Sequence, residues 1–435
     1  MSVLDKIKKN TTIKDSAILA KSKLFTEKDV VPTPVPAINI ALSGKLDGGL
    51  TPGLTMWAGP SKHFKTAFSL LMAKSYLEKY DEAALLFYDS EFGTPQSYFD
   101  SFGIDPDRVL HTPITDVEQL KQDIMKQLDN LERGDRLIIV IDSIGNLASK
   151  KEVDDALEGK TVADMSRAKQ IKSLFRMITP HLTLKDIPMV VVNHTYKEIG
   201  MFPKDIVGGG TGSYYSADNI YIIGRQQEKE GTEIVGYNFI INVEKSRYVR
   251  EKSKIPISVS FDGGISKYSG LLDLALESGH VVKPSNGWYA KVDQSTGEIG
   301  DKKRLADTST PEFMESILAD SKFRDFIKQK YEIAYGNIMG ENPVLEEEIS
   351  EEGDCATKPE VKESAFELSE KDKALLEAEM RTKWTALEIF AIGDEVEKFA
   401  VGDKVYLQMN ALNTSEVVDI DGALKLMVRE HDIAI

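Results

Sequence analysis

At 435 residues the chain is too long for one ordinary domain and suits two or three, and its 41 % apolar content supports a sizeable core. The net charge of −16 argues against binding nucleic acid by overall charge, but residues 341–380 carry −10 of it and residues 381–435 carry −4. Only −2 is left for residues 1–340, where a local basic groove remains open. A single cysteine, Cys355, excludes an internal disulfide and fits a reducing cytoplasm. The start, MSVLDKIKKN, lacks the apolar stretch of a signal peptide, and apolar runs such as LIIVI are too short to span a bilayer, so no membrane contact is expected.

Along the chain, residues 5–25 (DKIKKNTTIKDSAILAKSKLF) read as a weakly amphipathic helix. LTMWA (54–58) is a predicted strand, and the helix predicted over 65–80 carries Leu70, Ala73, Leu77 and Tyr80 at helical spacing. AALLFYD (83–89) is a buried strand. Residues 116–134 form a helix striped by Leu120, Ile124, Leu128 and Leu131 and stopped by Gly134. RLIIVID (136–142) is another buried strand, RAKQIKSLFRMITPHL a helix and IPMVVVNH a strand. This βαβ rhythm predicts a parallel sheet flanked by helices. NIYIIGRQQ, YNFIINVEKS and KIPISVSFDGG follow with short turns, which predicts antiparallel strands at its end.

Between the first strand and helix lies GPSKHFKT: Gly59, Pro60, Ser61, Lys62, His63, Phe64, Lys65 and Thr66. It approaches the phosphate loop G-x-x-x-x-G-K-[ST], with Phe64 at the second glycine. Backbone N–H groups and the helix N-terminus would cradle phosphates, Lys65 would reach the β- and γ-phosphates, and Thr66 would bind Mg²⁺. Phe64 costs about 1–2 kcal/mol if the position needs a positive φ, and little if it already lies in the helix. On these eight residues alone, a helix start without phosphate chemistry is an equal reading. Asp142, ending LIIVID, stands where a metal ligand belongs, and Asp89 or Glu91, ending LFYDSE, could deprotonate a water. Each alone is matched by a solvated strand end; together they favour a nucleotide site.

GPSKHFKT, FYDSEFG, VIDSIGNLASKKE, VVVNHTY, VGGGTGSYYSADNI and NVEKSRYVREKSK, in this order, resemble the RecA-type recombinases, and within them the UvsX-type recombinases of T-even-like phages. The resemblance covers residues 15–340, and a Phe at position 64 belongs to that group's pattern. It implies ATP and Mg²⁺ as cofactors, Glu91 as the catalytic glutamate, Asp142 as the Walker B aspartate and Tyr98 stacked on adenine. His194 takes the place of a γ-phosphate-sensing glutamine. Lys245 and Arg247 match paired cations that reach the neighbouring subunit's γ-phosphate; their i, i+2 spacing would put both on one face of a strand. A solvated basic strand is the bland alternative for that pair.

Two segments resemble the family's DNA-binding loops, 149–169 and 195–212. Lys150, Lys151 and Arg167 are candidate phosphate contacts, with plain surface charge as an even alternative. Met201 and Phe202 are candidate base-stacking groups, and Gly208, Gly209 and Gly210 supply backbone freedom. The resemblance implies single- and double-stranded DNA as partners, a helical homo-oligomer, and single-strand-binding and mediator proteins. The expected architecture is α/β: a polymerisation arm (1–30), a RecA-like P-loop ATPase core with a mostly parallel sheet (31–270), a small lobe (271–340), an acidic linker (341–368) and a helix plus β-rich module (369–435). In that module Leu376, Met380, Trp384 and Leu387 form a helical stripe. Residues 389–435 resemble the C-terminal half of a GroES-type co-chaperonin without its mobile loop, which implies assembly or partner binding. The function read from all this is an ATP-dependent recombinase, a phage protein acting in the host cytoplasm, that pairs and exchanges strands. A hexameric helicase or translocase, or an assembly protein with vestigial ATPase activity, is the alternative.

Overall fold

The computed structural model describes residues 2–13, 16–22, 29–159, 166–198 and 205–333, and the backbone of short strands between 384 and 434. The chain divides into two compact units, 1–342 and 343–435.

In the first unit, helix α1 (Val3–Asn10) opens on a Ser2–Asp5 capping box. It stops at Thr11, which is extended, rather than running on through residue 25 as the sequence suggested; the β-branched Thr11, Thr12 and Ile13 that follow are weak helix formers. Val3, Leu4 and Ile7 leave an exposed apolar face. Helix α2 (Pro36–Ser43) has Pro at its start and Gly44, at φ 75°, at its end. Residues 37–43 are all buried, so no amphipathic period marks it in the sequence.

The core alternates strand and helix: β1 (Gly53–Ala58), α3 (Lys65–Lys79), β2 (Ala84–Asp89), α4 (Gln96–Ser101), β3 (Val109–Pro113), α5 (Val117–Asn130), β4 (Leu137–Asp142), α6 (Lys150–Leu157), α7 (Ser166–Lys185) and β5 (Pro188–Asn193). A small hairpin, β6 (Thr195–Lys197) and β7 (Asp205–Val207), and helix α8 (Thr211–Ser216) follow. Then come β8 (Asn219–Glu230), β9 (Glu233–Lys245), β10 (Lys254–Ser260) and β11 (Gly264–Ile265). The nine-stranded sheet has the order β11-β10-β9-β8-β1-β5-β4-β2-β3. From β8 to β3 all pairings are parallel, and β8 to β11 pair antiparallel, as the sequence predicts.

Both faces of the sheet are buried, which is why its strands read as unbroken apolar runs. Trp57, Phe87, Val140 and Tyr221 pack on one side with Phe68 and Leu71 of α3. Met56, Tyr88, Ile139 and Val191 pack on the other against the stripe Leu120, Ile124 and Leu128 of α5 and against Ile171, Leu174, Phe175, Ile178 and Leu182 of α7. Each such side chain contributes about 1.5–3 kcal/mol on burial. Helix α5 ends at Asn130; Leu131 is already extended, so the last member of the expected stripe packs from outside the helix.

Residues 271–333 comprise α9 (Leu271–Glu277), the sheet β12 (Val281–Ser285), β13 (Trp288–Lys291) and β14 (Lys303–Arg304), then α10 (Pro311–Ala319) and α11 (Ser321–Tyr331). In the second unit, β15 (Trp384–Glu388) pairs with β16 (Lys404–Gln408), which pairs with β19 (Ile433–Ala434). Strands β17 (Glu416–Ile420) and β18 (Ala423–Met427) pair antiparallel. Trp384 and Leu387 therefore lie on a strand and not on the expected helix; register pairing with residues 404–408 overrides their helical spacing. Leu376, Met380 and the acidic linker lie outside the described residues.

Candidate nucleotide-binding site

All the parallel strands point their C-terminal ends to one side, and the loops leaving β1, β2, β4 and β5 meet there. The loop after β1 turns through Lys62 and Phe64, both left-handed at φ 62°. Phe64 is the N-cap of α3 and makes no side-chain cap, so the helix start offers its N–H groups to the loop's interior. The position does demand positive φ, and Phe64 carries the cost of about 1–2 kcal/mol. Its ring is held in return: it stacks on Phe239 at 5.0 Å and meets Phe68 edge-on at 5.5 Å.

Lys65 is buried, and its Nζ donates to the carbonyl of Pro60 at 2.7 Å. Burial pulls its ammonium below the usual lysine range, against the attraction of Glu91 and Asp142. Thr66 donates from Oγ1 to Asp142 Oδ2 at 2.6 Å. Asp142 is 2 % exposed, and its Oδ1 has no hydrogen-bond partner among the described residues. Burial pushes its carboxyl up to about 6, helped by Glu91 and Asp89 and opposed by the Thr66 hydrogen bond and Lys65. A buried carboxylate with one oxygen on a threonine hydroxyl and the other unpaired is a hard-oxygen donor set that fits Mg²⁺.

Asp89 ends β2, and its Oδ1 accepts the N–H groups of Glu91 at 3.0 Å and Phe92 at 2.7 Å, while His111 Nε2 lies 3.1 Å from Oδ2. This turn presents Glu91 across the site. Glu91 Oε1 accepts from Ser143 Oγ at 2.7 Å and lies 3.0 Å from His194 Nε2, a donor in that ring's Nε2–H tautomer. His194 holds the Glu91 carboxyl below the usual range, with Ser143 and Lys65 adding to the effect and burial opposing it. Lys65, Thr66, Glu91, Asp142 and His194 line a cavity of about 510 Å³ together with the aromatic side chains of Tyr98, Tyr237, Phe239 and Phe261. Tyr98 is half-buried, set edge-on to Phe102 at 5.5 Å. The cavity thus joins ionisable groups to aromatic surface that suits a planar base.

A family model described as the RecA N-terminal domain matches residues 2–266. The chain belongs to the RecA family of recombinases. A second model, described as the C-terminal domain of the bacteriophage T4 recombination and repair protein, matches residues 268–327. The recombination and repair protein of Enterobacteria phage T4 is 52 % identical over 348 residues, covering 79 % of this chain and 88 % of the relative. Protein RecA of Bacteroides thetaiotaomicron is 26 % identical over 320 residues, covering 73 % and 93 %. The co-chaperonin resemblance of residues 389–435 finds no support here, since both family models end by residue 327. Among the described residues no helix is long and apolar enough to cross a membrane.

Within this RecA-family chain the remaining candidates are placed less simply. Strand β9 stops at Lys245, because Ser246 Oγ accepts the N–H groups of Tyr248 and Val249 and turns the chain. Lys245 and Arg247 therefore do not share a strand face. Lys245 Nζ donates to the carbonyls of Tyr214 and Ala217, each at 2.7 Å, and Arg247 Nε pairs with Asp218 at 2.5 Å. Neither lines the cavity around Lys65 and Glu91.

Residues 150–157, expected as part of a DNA-binding loop, form α6, which opens on a Ser149–Glu152 capping box. Lys150 and Lys151 lie on its first turn, and Lys151 pairs with Asp155. Arg167 is turned inward onto backbone carbonyls of residues 144, 145 and 147. Gly208 N–H donates to the His194 carbonyl at 2.9 Å, and Asn193 Nδ2 donates to the Gly208 carbonyl at 2.8 Å. Gly209 and Gly210 follow at φ 89° and 73°, a conformation that glycine adopts without strain. Met201 and Phe202 lie outside the described residues.

Ser143, Tyr237, Phe239 and Phe261 were missed in the sequence. Ser143 carries no signal beyond following Asp142. Tyr237, Phe239 and Phe261 read as ordinary strand residues until β8 to β10 fold beside the phosphate loop.

Proposed function

We propose that this recombinase is a DNA-dependent ATPase that polymerises on single-stranded DNA and uses the nucleotide state of the filament to drive pairing and strand exchange with a duplex. The observation that carries the reading is the buried Asp142, with Oδ2 on Thr66 and Oδ1 unpaired, facing the Glu91–His194 pair across one cavity. Gly59 to Thr66 would cradle the triphosphate, with Lys65 released from Pro60 to meet phosphate oxygens. Tyr98 would stack on the base. Thr66 and Asp142 would hold Mg²⁺, which when bound neutralises phosphate charge. Glu91, kept ionised by His194 and Ser143, would take a proton from the attacking water, and His194 would sense the γ-phosphate.

The hydrogen bonds that Gly208 N–H donates to the His194 carbonyl, and that Asn193 Nδ2 donates to the Gly208 carbonyl, support a mechanical tie between that sensor and the loop assigned to DNA. Lys245 and Arg247 are assigned to the interface between subunits, which is consistent with their distance from this chain's own cavity. The exposed apolar face of α1 suits a polymerisation arm within residues 1–30. Residues 31–270 then act as motor and 271–340 as the small lobe. Residues 341–368 act as an acidic linker and 369–435 as a partner-binding module. Single-strand-binding and mediator proteins would be its partners, in the cytoplasm of a phage host.

Glu91→Gln tests the reading. It should retain ATP binding and form filaments on single-stranded DNA, seen by electron microscopy, while turnover falls about 10²–10⁴-fold. Closed rings, or equal loss of binding and turnover, would point to a translocase or to a different base.

A further inference from the structure

Arg167 is the second residue of α7, at the end of the segment whose charge suggested a DNA path, yet its guanidinium faces the protein. Nε donates to the carbonyl of Leu147 at 2.6 Å, and Nη2 donates to those of Gly145 at 2.8 Å and Ile144 at 3.0 Å. These carbonyls belong to the irregular stretch that leaves β4 directly after Asp142 and Ser143. At its start the stretch is tied to β5 by Ile144 N–H on the Val192 carbonyl, 3.0 Å. His194 packs against the same stretch. A Cβ built on Gly145 would lie 2.4 Å from His194 Cδ2 and 3.1 Å from Cγ, so ring and backbone are in direct apposition. His194 in turn holds Glu91.

Three carbonyls converging on one side chain call for a planar fork of N–H donors, which arginine has and lysine lacks. We propose that Arg167 is a positioning residue for the hydrolytic centre. It fixes the wall on which His194 is seated, and through His194 it fixes the reach of Glu91. The inference rests on the roles of Glu91 and His194 given above.

A double-mutant cycle on the full chain tests it. Arg167→Ala, Arg167→Lys, His194→Ala and the double variant Arg167→Ala/His194→Ala are compared for kcat, KM for ATP, and affinity for a single-stranded oligonucleotide across salt concentrations. Arg167→Ala should lower kcat about 10- to 100-fold, the scale of a misplaced catalytic group. Oligonucleotide affinity and its salt slope should stay unchanged. In the His194→Ala background the further loss should be under about twofold, because the two residues act through one path. Arg167→Lys, which keeps the charge and loses the fork, should behave like the alanine variant.

A salt slope reduced by about one, with lysine restoring it, would mean a DNA phosphate contact and would overturn the proposal. Independent, multiplicative losses would do the same. Gly145→Ala, with Arg167 intact, should reproduce the kcat loss. If the Arg167 variants do not fold, unchanged turnover in Gly145→Ala overturns the proposal. If Glu91→Gln abolishes turnover while the cycle is additive, this inference alone falls; if Glu91→Gln leaves turnover intact, the site assignment falls with it.

Discussion

Phe64 occupies a backbone conformation that normally selects glycine, and this makes an unusual ordering of variants expected. At φ 62° and ψ 16° any residue with a Cβ bears about 1–2 kcal/mol of strain. The wild-type ring offsets it through the contacts to Phe239 and Phe68, each worth about 0.5–1.5 kcal/mol, together with roughly half of a full aromatic burial, about 1 kcal/mol. Phe64→Ala removes the ring and keeps the strain, so it should destabilise by about 2–4 kcal/mol. Phe64→Gly removes the ring and the strain together, less about 0.5–1 kcal/mol for the greater freedom of glycine in the unfolded chain. Glycine should therefore be more stable than alanine here by up to about 1.5 kcal/mol, the reverse of their order inside a helix. Urea unfolding of the three nucleotide-free proteins, compared by midpoint at constant slope, reads this directly. The expected order is wild type, glycine, alanine. Alanine equal to or above glycine would show that the strain at residue 64 is relieved in solution and that the left-handed turn does not shape the loop.

Other expectations follow from the carboxylates and the cations. Because the folded state raises the Asp142 carboxyl from 3.8 to about 6, the nucleotide-free protein should lose stability as pH rises through that window, on the order of 3 kcal/mol in all. Asp142→Asn should abolish this dependence in pH-resolved thermal melts and remove the rise in Mg²⁺–nucleotide affinity over the same window. Ser143→Ala deletes a donor that keeps Glu91 ionised, so the acid limb of the kcat/KM–pH profile should move to higher pH, with nucleotide affinity little changed; an unmoved limb would leave Ser143 a purely structural role. Lys245→Ala and Glu91→Gln proteins, each inactive alone, should regain some DNA-stimulated hydrolysis when copolymerised. Complete lack of rescue in mixed filaments would place the cations in cis.

Much of the core was legible because its signals are local. The apolar runs 54–58, 84–89, 137–142 and 188–193 are strands buried on both faces, and that burial forces the unbroken composition from which they were read. Helix α5 showed its single buried stripe, and α7 was read as a helix as well. The long helix expected near the N-terminus and the helix expected at 384–387 failed where local pattern competed with β-branched residues in one case and with strand pairing in the other.

The site divides in the same way. The phosphate loop is a local motif, and the sequence alone determined its place between strand and helix, together with the acidic strand ends at Asp89 and Asp142. Which groups meet was decided by the sheet order. Thr66 reaches Asp142 across 76 residues of sequence and Glu91 reaches His194 across 103, because β1, β5, β4 and β2 lie side by side with their C-terminal ends together. The inward turn of Arg167, the lysine Lys245 on the carbonyls of Tyr214 and Ala217, and the hydroxyl of Ser143 beneath Glu91 depend on such pairings as well. A side chain's composition records whether it is buried and in what periodicity, since these depend on near neighbours. Its partners depend on long-range packing, which no short window of sequence contains.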